Sequence, residues 1–195
     1  MADFIRRVVT GHDRNGKAIV ISDGPCTSIR THPSRPGHKS TDVWKTTAMP
    51  VPIAREEPDP TLGTRDFVPP LGTKIRISEI PPEPEAFKNL TPEQAREFFK
   101  EGGNPQASTF GQNDRHPFMH RTESVDYAVV LEGEITMLLD DQDVRLKAGD
   151  IVIQRGTNHA WSNRSGKPVR MLYILIDGKF EPELAAYAQK GAAHK

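Results

Sequence analysis

The sequence predicts an all-β fold, a single closed β-barrel of the jelly-roll kind that carries an N-terminal β-arm and one or two short helices. Two observations lead to this fold class. The 17 prolines and 15 glycines fall between short apolar runs, as turn residues do in β proteins. The runs in the second half of the chain have short connections, and antiparallel strands joined in that way are best closed into a barrel, which removes exposed edges and leaves a ligand-sized interior.

Composition excludes several classes of partner and site. The chain of 195 residues fits one domain with a full core and an arm. Lys+Arg and Asp+Glu each number 26, so no net charge attracts nucleic acid or an anionic membrane, and neither is expected as a partner. Cys26 is the only cysteine, which excludes an internal disulfide and a zinc site built from thiolates.

The beginning of the chain bears on its location. Arg6 and Arg7 stand where a secretory signal needs an apolar run, and no stretch approaches the ~18 apolar residues of a membrane span. The single cysteine also favours a reducing compartment. We therefore expect a cytoplasmic protein.

The pattern divides the chain into three parts. Residues 1–73 are predicted as a β-hairpin arm with covering loops, residues 74–178 as the barrel, and residues 179–195 as a C-terminal helix or tail. Within the first part, residues 24–39 and 50–72 are rich in Pro and polar residues without periodicity, which predicts loops laid over the barrel. This interpretation puts three loop and turn histidines at the surface: His12, His32 and His38.

Local signals predict the individual elements. Residues 5–9 and 17–21 flank Asn15-Gly16, a dipeptide that tolerates positive φ and so predicts a hairpin. Residues 41–49 are a candidate strand, and residues 74–80 alternate apolar with polar side chains, as a half-buried strand does.

Two helices are predicted outside the barrel strands. Thr91 and Gln94 form a capping box at the start of the first, and Gly102-Gly103 ends it. Residues 181–191 predict a second helix near the end of the chain.

Two groups of residues in the barrel region carry a motif. The first is His120, Thr122, Asp126 and Gly133. The second is a Gly149-Asp150 turn followed by Gly156, His159 and Asn163. In order and spacing these groups resemble the two motifs of the cupin superfamily, of the single-domain conserved-barrel (cupin 2) type, over residues 74–178. Asp126 stands in that pattern where a glutamate is usual, and Thr122 stands where a second histidine is usual.

The resemblance implies a site inside the barrel. His120, Asp126 and His159 are the candidate catalytic residues and also the candidate metal ligands, because two histidines and one carboxylate on adjacent strands form the facial set that holds ions such as Fe(II), Mn(II) or Zn. One divalent ion (Fe, Mn, Zn or Ni) or no metal at all is consistent with these residues. Asp126 is either a ligand or an anchor of the bend through backbone N–H groups.

Three further residues are candidates for binding the substrate. Trp161 shares the strand face of His159 and is expected to point inward, whereas Tyr127 alternates away from Asp126. Thr122 is predicted as a polar lining group, and Glu123, in the bend, as a solvated residue or a base that reaches the cavity.

Three functions fit these expectations. The first is a small-molecule enzyme, a dehydratase, isomerase or lyase acting on a hydroxylated carbonyl or polyketide-like substrate, because one acid or base and one electrophilic group suffice for such steps. The second is an Fe(II) dioxygenase, which requires Asp126 as a true ligand. The third is a non-catalytic barrel that binds a small ligand. A homodimer is expected, because β-arms commonly cover exposed sheet edges.

Overall fold

The computed structural model describes residues 4–33, 35–63, 65–101, 103–112 and 115–193. Its elements are β1 Arg6–His12, β2 Ala18–Pro25, β3 Ile29–His32, β4 Arg35–Thr46, β5 Thr73–Ile80, α1 Pro92–Glu101, β6 Ser124–Glu132, β7 Glu134–Leu138, β8 Asp143–Lys147, β9 Ile151–Arg155, β10 Ala160–Ser162, β11 Val169–Asp177 and α2 Pro182–Ala193, with short 3-10 turns at Glu85–Asn89 and Pro105–Ala107.

The strands form an all-β barrel, as the sequence predicts. A six-stranded sheet has the order β3-β4-β5-β11-β6-β9, and a three-stranded sheet has the order β10-β7-β8. All of the strand pairs within these two sheets are antiparallel. The main core cluster joins the two sheets, because it combines side chains of the large sheet with side chains of the small one: Ile80, Val130, Met171, Ile135, Met137 and Leu146.

The N-terminal hairpin is confirmed as a local structure. β1 pairs with β2, and Gly16 in the connecting turn has a φ of +79°. The Asp13 carboxylate accepts the backbone N–H groups of Asn15 and Lys17 at 2.8 and 2.9 Å. In this chain the hairpin is a separate two-stranded sheet and adds no strand to the barrel sheets. Arg7 connects it to the barrel by donating to the Val43 carbonyl at 3.0 Å.

The prediction that residues 24–39 are loops is wrong. β3 and most of the first half of β4 lie there, and they extend the large sheet beyond β5. The cause is cross-strand pairing: Arg30 lies opposite Ser40, which in turn lies opposite Ser78 of β5. Residues 50–63 and 65–72 contain no helix or strand, as predicted. Because β4 pairs with β5, the large sheet continues across the predicted division at residue 73.

Both predicted helices are present. The capping box forms as expected, with the Thr91 N–H donating to Gln94 Oε1 at 2.9 Å and the Gln94 N–H donating to Thr91 Oγ1 at 3.3 Å. Of the predicted stop, Gly102 lies outside the described residues, and Gly103 has a φ of +92°. Neither helix, nor any other in the described part of the chain, is long and apolar enough to cross a membrane.

α1 closes one side of the barrel with an aromatic cluster. Phe99 is buried in α1 and packs with Phe87 and Phe118, while Phe98 packs against the same cluster. The ring centroids of Phe98 and Phe118 are 4.8 Å apart. The helix therefore places apolar side chains over the inner face of the large sheet.

Removal of the capping side chain is expected to weaken this closure. Thr91→Ala leaves the Gln94 N–H without its acceptor and should lower the free energy of unfolding by about 1 kcal/mol, which urea denaturation measures. Thr47→Ala, at an exposed position just after β4, is the matched control and should change the free energy of unfolding by less than about 0.5 kcal/mol. Equal effects of the two substitutions would contradict a stabilising role for the capping box.

Candidate active site

A cavity of about 150 Å³ lies between the inner face of the large sheet and the aromatic cluster under α1. A cavity of about this size holds a molecule as large as one aromatic ring. Its aromatic walls are Phe67, Phe98, Phe99, Phe118 and Trp161, and its polar walls include Arg30, Arg35, His38, Arg65, Arg76, His120, Asp126, Gln154, His159 and Tyr173.

His120 and His159 face each other at this cavity. Their backbones form an antiparallel bridge, with N–H to O distances of 2.8 and 2.9 Å, and their ring centroids are 4.1 Å apart. His120 Nδ1 donates to the Phe118 carbonyl and His159 Nδ1 to the Thr157 carbonyl, both at 3.0 Å. Because a carbonyl oxygen only accepts hydrogen bonds, each neutral ring carries its proton on Nδ1 and its lone pair on Nε2.

Burial keeps both imidazoles neutral. Burial, with a smaller contribution from the nearby positive charge of Arg35, lowers the pKa of His120 to about 4. Burial also lowers the pKa of His159 well below its usual value, and His120 acts in the same direction. At neutral pH the pair therefore presents two Nε2 acceptors.

Asp126 lies on the inward face of β6, opposite Leu175 of β11 and Gln154 of β9. Its side chain is buried, and Oδ1 has no hydrogen-bond partner among the described residues. Burial raises the pKa of this carboxyl to about 6, although the Ser124 hydroxyl and the Arg76 charge oppose the shift. Asp126 therefore exchanges a proton close to neutral pH, as a general acid or base requires.

Tyr173 supplies a neutral hydroxyl to the same cavity. It lies on β11 directly opposite Arg76 of β5. Burial raises the pKa of the phenol well above its usual value, so it stays protonated and can donate a hydrogen bond. Trp161 connects the two sides of the site, with its ring centroid 5.7 Å from that of His159 and 5.6 Å from that of Tyr173.

The basic side of the cavity was not predicted from the sequence. Four arginines line it: Arg30, Arg35, Arg65 and Arg76. The first three lie in the two segments that were predicted as loops, residues 24–39 and 50–72. His32 and His38, predicted at the surface, also line the cavity, because β3 and β4 point them inward. Burial, followed by the charges of Arg35, Arg76 and Arg65, lowers the pKa of His38 to about 3.

Two predicted substrate-binding residues lie away from the cavity. Residues 121 to 123 leave the strand path, so their side chains point elsewhere. The Thr122 hydroxyl lies 2.8 Å from that of Ser124, and Glu123 Oε1 accepts the Phe180 N–H at 3.0 Å. Both belong to a separate depression near α2, whereas Trp161 lies at the cavity itself.

The predicted three-residue metal set does not assemble. Among the described residues, no group of three or more His, Cys, Asp or Glu side chains is arranged to hold a metal ion. The two Nε2 atoms are donors that suit a metal, but Asp126 is not grouped with them. The donor set is thus one ligand short of a facial site.

Comparison with known proteins gives a consistent result. A family model described as a cupin domain matches residues 108–175. The chain is 30% identical over 178 residues to the cupin-domain-containing oxidoreductase fogC of Aspergillus ruber, and this alignment covers 88% of this chain and 71% of that protein. It is 54% identical over 63 residues to the phomopsin biosynthesis cluster protein C' of Diaporthe leptostromiformis, and that alignment covers 31% of this chain and only 33% of that protein.

The chain is also similar to solved structures, of which one is given as an example. The cupin domain of Schizosaccharomyces pombe Cnp3 aligns with a TM-score of 0.42 and 12% identity over 95% of this chain and 93% of that one.

Because the pKa of Asp126 is raised, replacing its ionised carboxylate by a neutral side chain is expected to stabilise the fold, by an amount that depends on pH. A folded-state pKa of about 6, above the ordinary 3.8, favours folding at low pH, and this contribution is lost as the pH rises through about 6. Asp126→Asn mimics the neutral acid, so above this pH it should raise the free energy of unfolding by up to ~3 kcal/mol, at ~1.4 kcal/mol per pKa unit. Urea denaturation at several pH values measures the difference, which should vanish below about pH 4.

Asp141→Asn, in the exposed turn after β7, is the control for this measurement. If the gain for Asp126→Asn is the same at all pH values, or if the variant is less stable above pH 6, the raised pKa of the buried Asp126 carboxyl is contradicted.

Proposed function

Because the chain belongs to the cupin superfamily and has its barrel fold, we propose that it is a small-molecule enzyme that uses acid–base chemistry in the barrel cavity. The reaction class is dehydration, isomerisation or lyase cleavage of a hydroxylated carbonyl compound. Relatives named as oxidoreductases and as biosynthesis cluster proteins support an enzyme of small-molecule metabolism, but their names do not specify this reaction.

One observation carries the proposal: a buried carboxyl with a pKa of about 6 shares a cavity with two neutral imidazoles. Asp126 is the general base that removes a proton from the carbon next to the substrate carbonyl. The Tyr173 hydroxyl donates to the carbonyl oxygen, where negative charge develops. In dehydration the proton held by Asp126 passes to the departing hydroxyl and water leaves; in isomerisation the same proton returns to a neighbouring carbon.

The histidine pair positions the substrate hydroxyl in this scheme. With Nδ1 of each ring held by a carbonyl, the two Nε2 atoms are fixed acceptors for a hydroxyl proton. This assignment gives each of His120, His159 and Asp126 a role that requires no metal.

The second candidate function is an Fe(II) dioxygenase, favoured by the two Nε2 lone pairs that face the same space. It requires a third protein ligand, and Asp126 would have to approach the pair to provide it. Elemental analysis of protein purified without chelator, together with oxygen uptake after addition of Fe(II), separates this candidate from the acid–base enzyme. A stoichiometric ion with oxygen consumption would favour the dioxygenase.

The acid–base proposal predicts proton exchange at carbon. A panel of small hydroxylated carbonyl compounds is incubated with the protein in D₂O, and proton NMR follows deuterium incorporation and loss of water. The rate should rise with pH through about 6, because Asp126 must be ionised to act as the base. Asp126→Asn should lower it at least about 100-fold, and His159→Ala by a similar factor.

Tyr127→Phe is the matched control, because Tyr127 neighbours Asp126 on β6 but is 39% exposed on the opposite face. It should leave the rate within about twofold of the wild type. Since Asp126→Asn is expected to stabilise the fold above pH 6, its loss of rate cannot be attributed to unfolding. If His159→Ala and Asp126→Asn both keep full exchange activity, the acid–base proposal is wrong, and a non-catalytic barrel that binds a small ligand becomes the favoured function.

We also propose that the chain is a homodimer, with the β-arm covering an edge of the partner barrel. β9 forms one edge of the large sheet, and its outward residues Ile151 and Ile153 are 65% and 55% exposed. The arm presents apolar side chains as well, among them Val20 at 58% and Ile21 at 44% exposure. Two exposed apolar surfaces of this kind in one chain are complementary in a symmetric dimer.

Sedimentation velocity tests the dimer. The wild type should sediment as a dimer at micromolar concentration, and Ile153→Glu should shift it to a monomer, because a charge is placed in the apolar contact. Ile53→Glu, at a position 87% exposed in the loop after β4, is the control and should remain a dimer. A monomeric wild type would contradict this part of the proposal.

A further inference from the structure

Four arginines form one wall of the cavity, and each has a guanidinium N–H group that lacks a partner. We call Arg30, Arg35, Arg65 and Arg76 the basic wall. Within the described residues, the buried atoms without a hydrogen-bond partner include Nη1 of Arg30, Nε of Arg35, Nε of Arg65 and Nη2 of Arg76. Buried donors are nearly always satisfied in folded proteins, so four unsatisfied ones on a single cavity indicate a missing acceptor.

The carboxylates of the chain do not balance this wall. Asp42 accepts from Arg76 Nε at 2.8 Å and from Arg65 Nη2 at 3.2 Å, and its other oxygen lies 3.5 Å from Lys74 Nζ. Because Lys74 has Asp66 as a closer partner at 2.7 Å, this buried carboxylate is shared mainly between two arginines of the wall, Arg65 and Arg76. Asp126, the carboxylate on the cavity itself, is held partly neutral by its raised pKa of about 6.

Arg35 has no carboxylate in contact with it among the described residues. Its guanidinium lies 4.6 Å from the ring centroid of Phe118 and 5.2 Å from that of Phe98. The carboxylate that acts on it, Glu83, is bonded instead to His116 at 3.0 Å and Ser162 at 2.9 Å. Burial lowers the pKa of Arg35 only to about 10, so it remains a cation at neutral pH. A buried cation without a contacting anion is costly unless a ligand supplies the charge.

We propose that the basic wall binds a carboxylate group of the substrate, with Arg35 as its principal anchor. The inference deepens the proposed function, on which it rests for the statement that the ligand is the substrate. A guanidinium matches a planar carboxylate with two parallel N–H donors, and the rings of Phe98, Phe118 and Trp161 provide flat apolar walls for the rest of the molecule. The cavity of about 150 Å³ limits that body to roughly one ring.

The position of Arg35 places this carboxylate beside the acid–base groups. Its charge acts on His120, on His38 and on Tyr173, so the guanidinium lies within electrostatic range of all three. A substrate anchored there presents the atoms next to its carboxylate to the histidine pair and to Asp126. The substrate class is therefore a small hydroxylated or carbonyl-containing carboxylic acid.

A purely structural role is the competing explanation for the wall. Arg65 and Arg76 do stabilise the fold through Asp42, so they are poor sites for the test. Arg35 makes no ion pair with any described residue at contact distance, which makes it the residue whose replacement separates binding from folding. Arg30, on β3, is the second choice if the Arg35 variant fails to fold.

The experiment compares benzoate with benzamide, which has the same shape but no charge, by isothermal titration calorimetry. The wild type should bind benzoate at least about tenfold more tightly than benzamide, a ratio that corresponds to ~1.4 kcal/mol. Arg35→Gln should weaken benzoate binding at least about tenfold and change benzamide binding by less than about twofold. Arg35→Lys keeps the positive charge but loses the two parallel N–H donors, so its affinity for benzoate should lie between those of the wild type and Arg35→Gln.

Arg55→Gln is the matched control, because Arg55 is exposed, does not line the cavity and forms an ion pair with the neighbouring Glu56. It should bind benzoate as the wild type does. Equal affinities of the wild type for benzoate and benzamide, no detectable benzoate binding, or unchanged benzoate binding by both Arg35→Gln and Arg30→Gln would each overturn the proposal.

The same titration in His159→Ala separates this proposal from the proposed function. Benzoate binding that survives in His159→Ala, together with loss of proton exchange, supports both. Benzoate discrimination in the wild type, with full exchange activity in both His159→Ala and Asp126→Asn, would support the basic wall and contradict the acid–base function. If His159→Ala loses proton exchange but the wild type shows no preference for benzoate over benzamide, only the proposal that the basic wall binds a carboxylate is contradicted.

Discussion

The antiparallel register of β4, β5, β11 and β6 decides which side chains reach the cavity. Asp42 lies opposite Arg76, Arg76 opposite Tyr173, and two residues further along β11 Leu175 lies opposite Asp126. These partners share one face of the sheet because side chains alternate with a period of two. A slip of one residue in any of these strands would turn its whole inward set to the other face. The set of side chains at the cavity therefore depends on the register of the whole sheet more than on any single residue.

β5 shows how this register overrides simple hydrophobic patterning. Its alternation offers an apolar face with Ile75 and Ile77, yet Lys74 is only 1% exposed and Ser78 only 5%, so the polar face is the one turned inward. Burial of that face is offset by the ion pairs of Asp42 with Lys74 and Arg76. A strand that buries its charged residues departs from the local rule, and such departures concentrate at functional sites.

Much of the scaffold could be predicted from sequence, because its signals are local. The hairpin follows from Asn15-Gly16, α1 from the Thr91 capping box, and the barrel from turn residues between short runs. The resemblance of the residues around His120 and His159 to the two cupin motifs also predicted a shared site, and the structure brings the two rings together. Most of the basic wall could not be predicted, since β3 and the first half of β4 have no apolar periodicity; β4 pairs with β5, and β3 pairs with β4. The separation of Asp126 from the histidine pair likewise depends on the three-dimensional path of the bend.

The charges of the cavity connect binding to chemistry. Positive potential from Arg35, Arg65 and Arg76 adds to the effect of burial in lowering the pKa of His38, and Arg76 also opposes the rise in the pKa of Asp126. An anionic substrate on the basic wall cancels part of this potential and therefore raises the pKa of the neighbouring groups. For Asp126 the shift moves the pKa from about 6 toward neutrality, where a carboxyl both accepts and returns a proton most effectively. A neutral molecule of the same shape lacks this effect, so under the proposed function the charge of the substrate would both favour its binding and raise the pKa of Asp126.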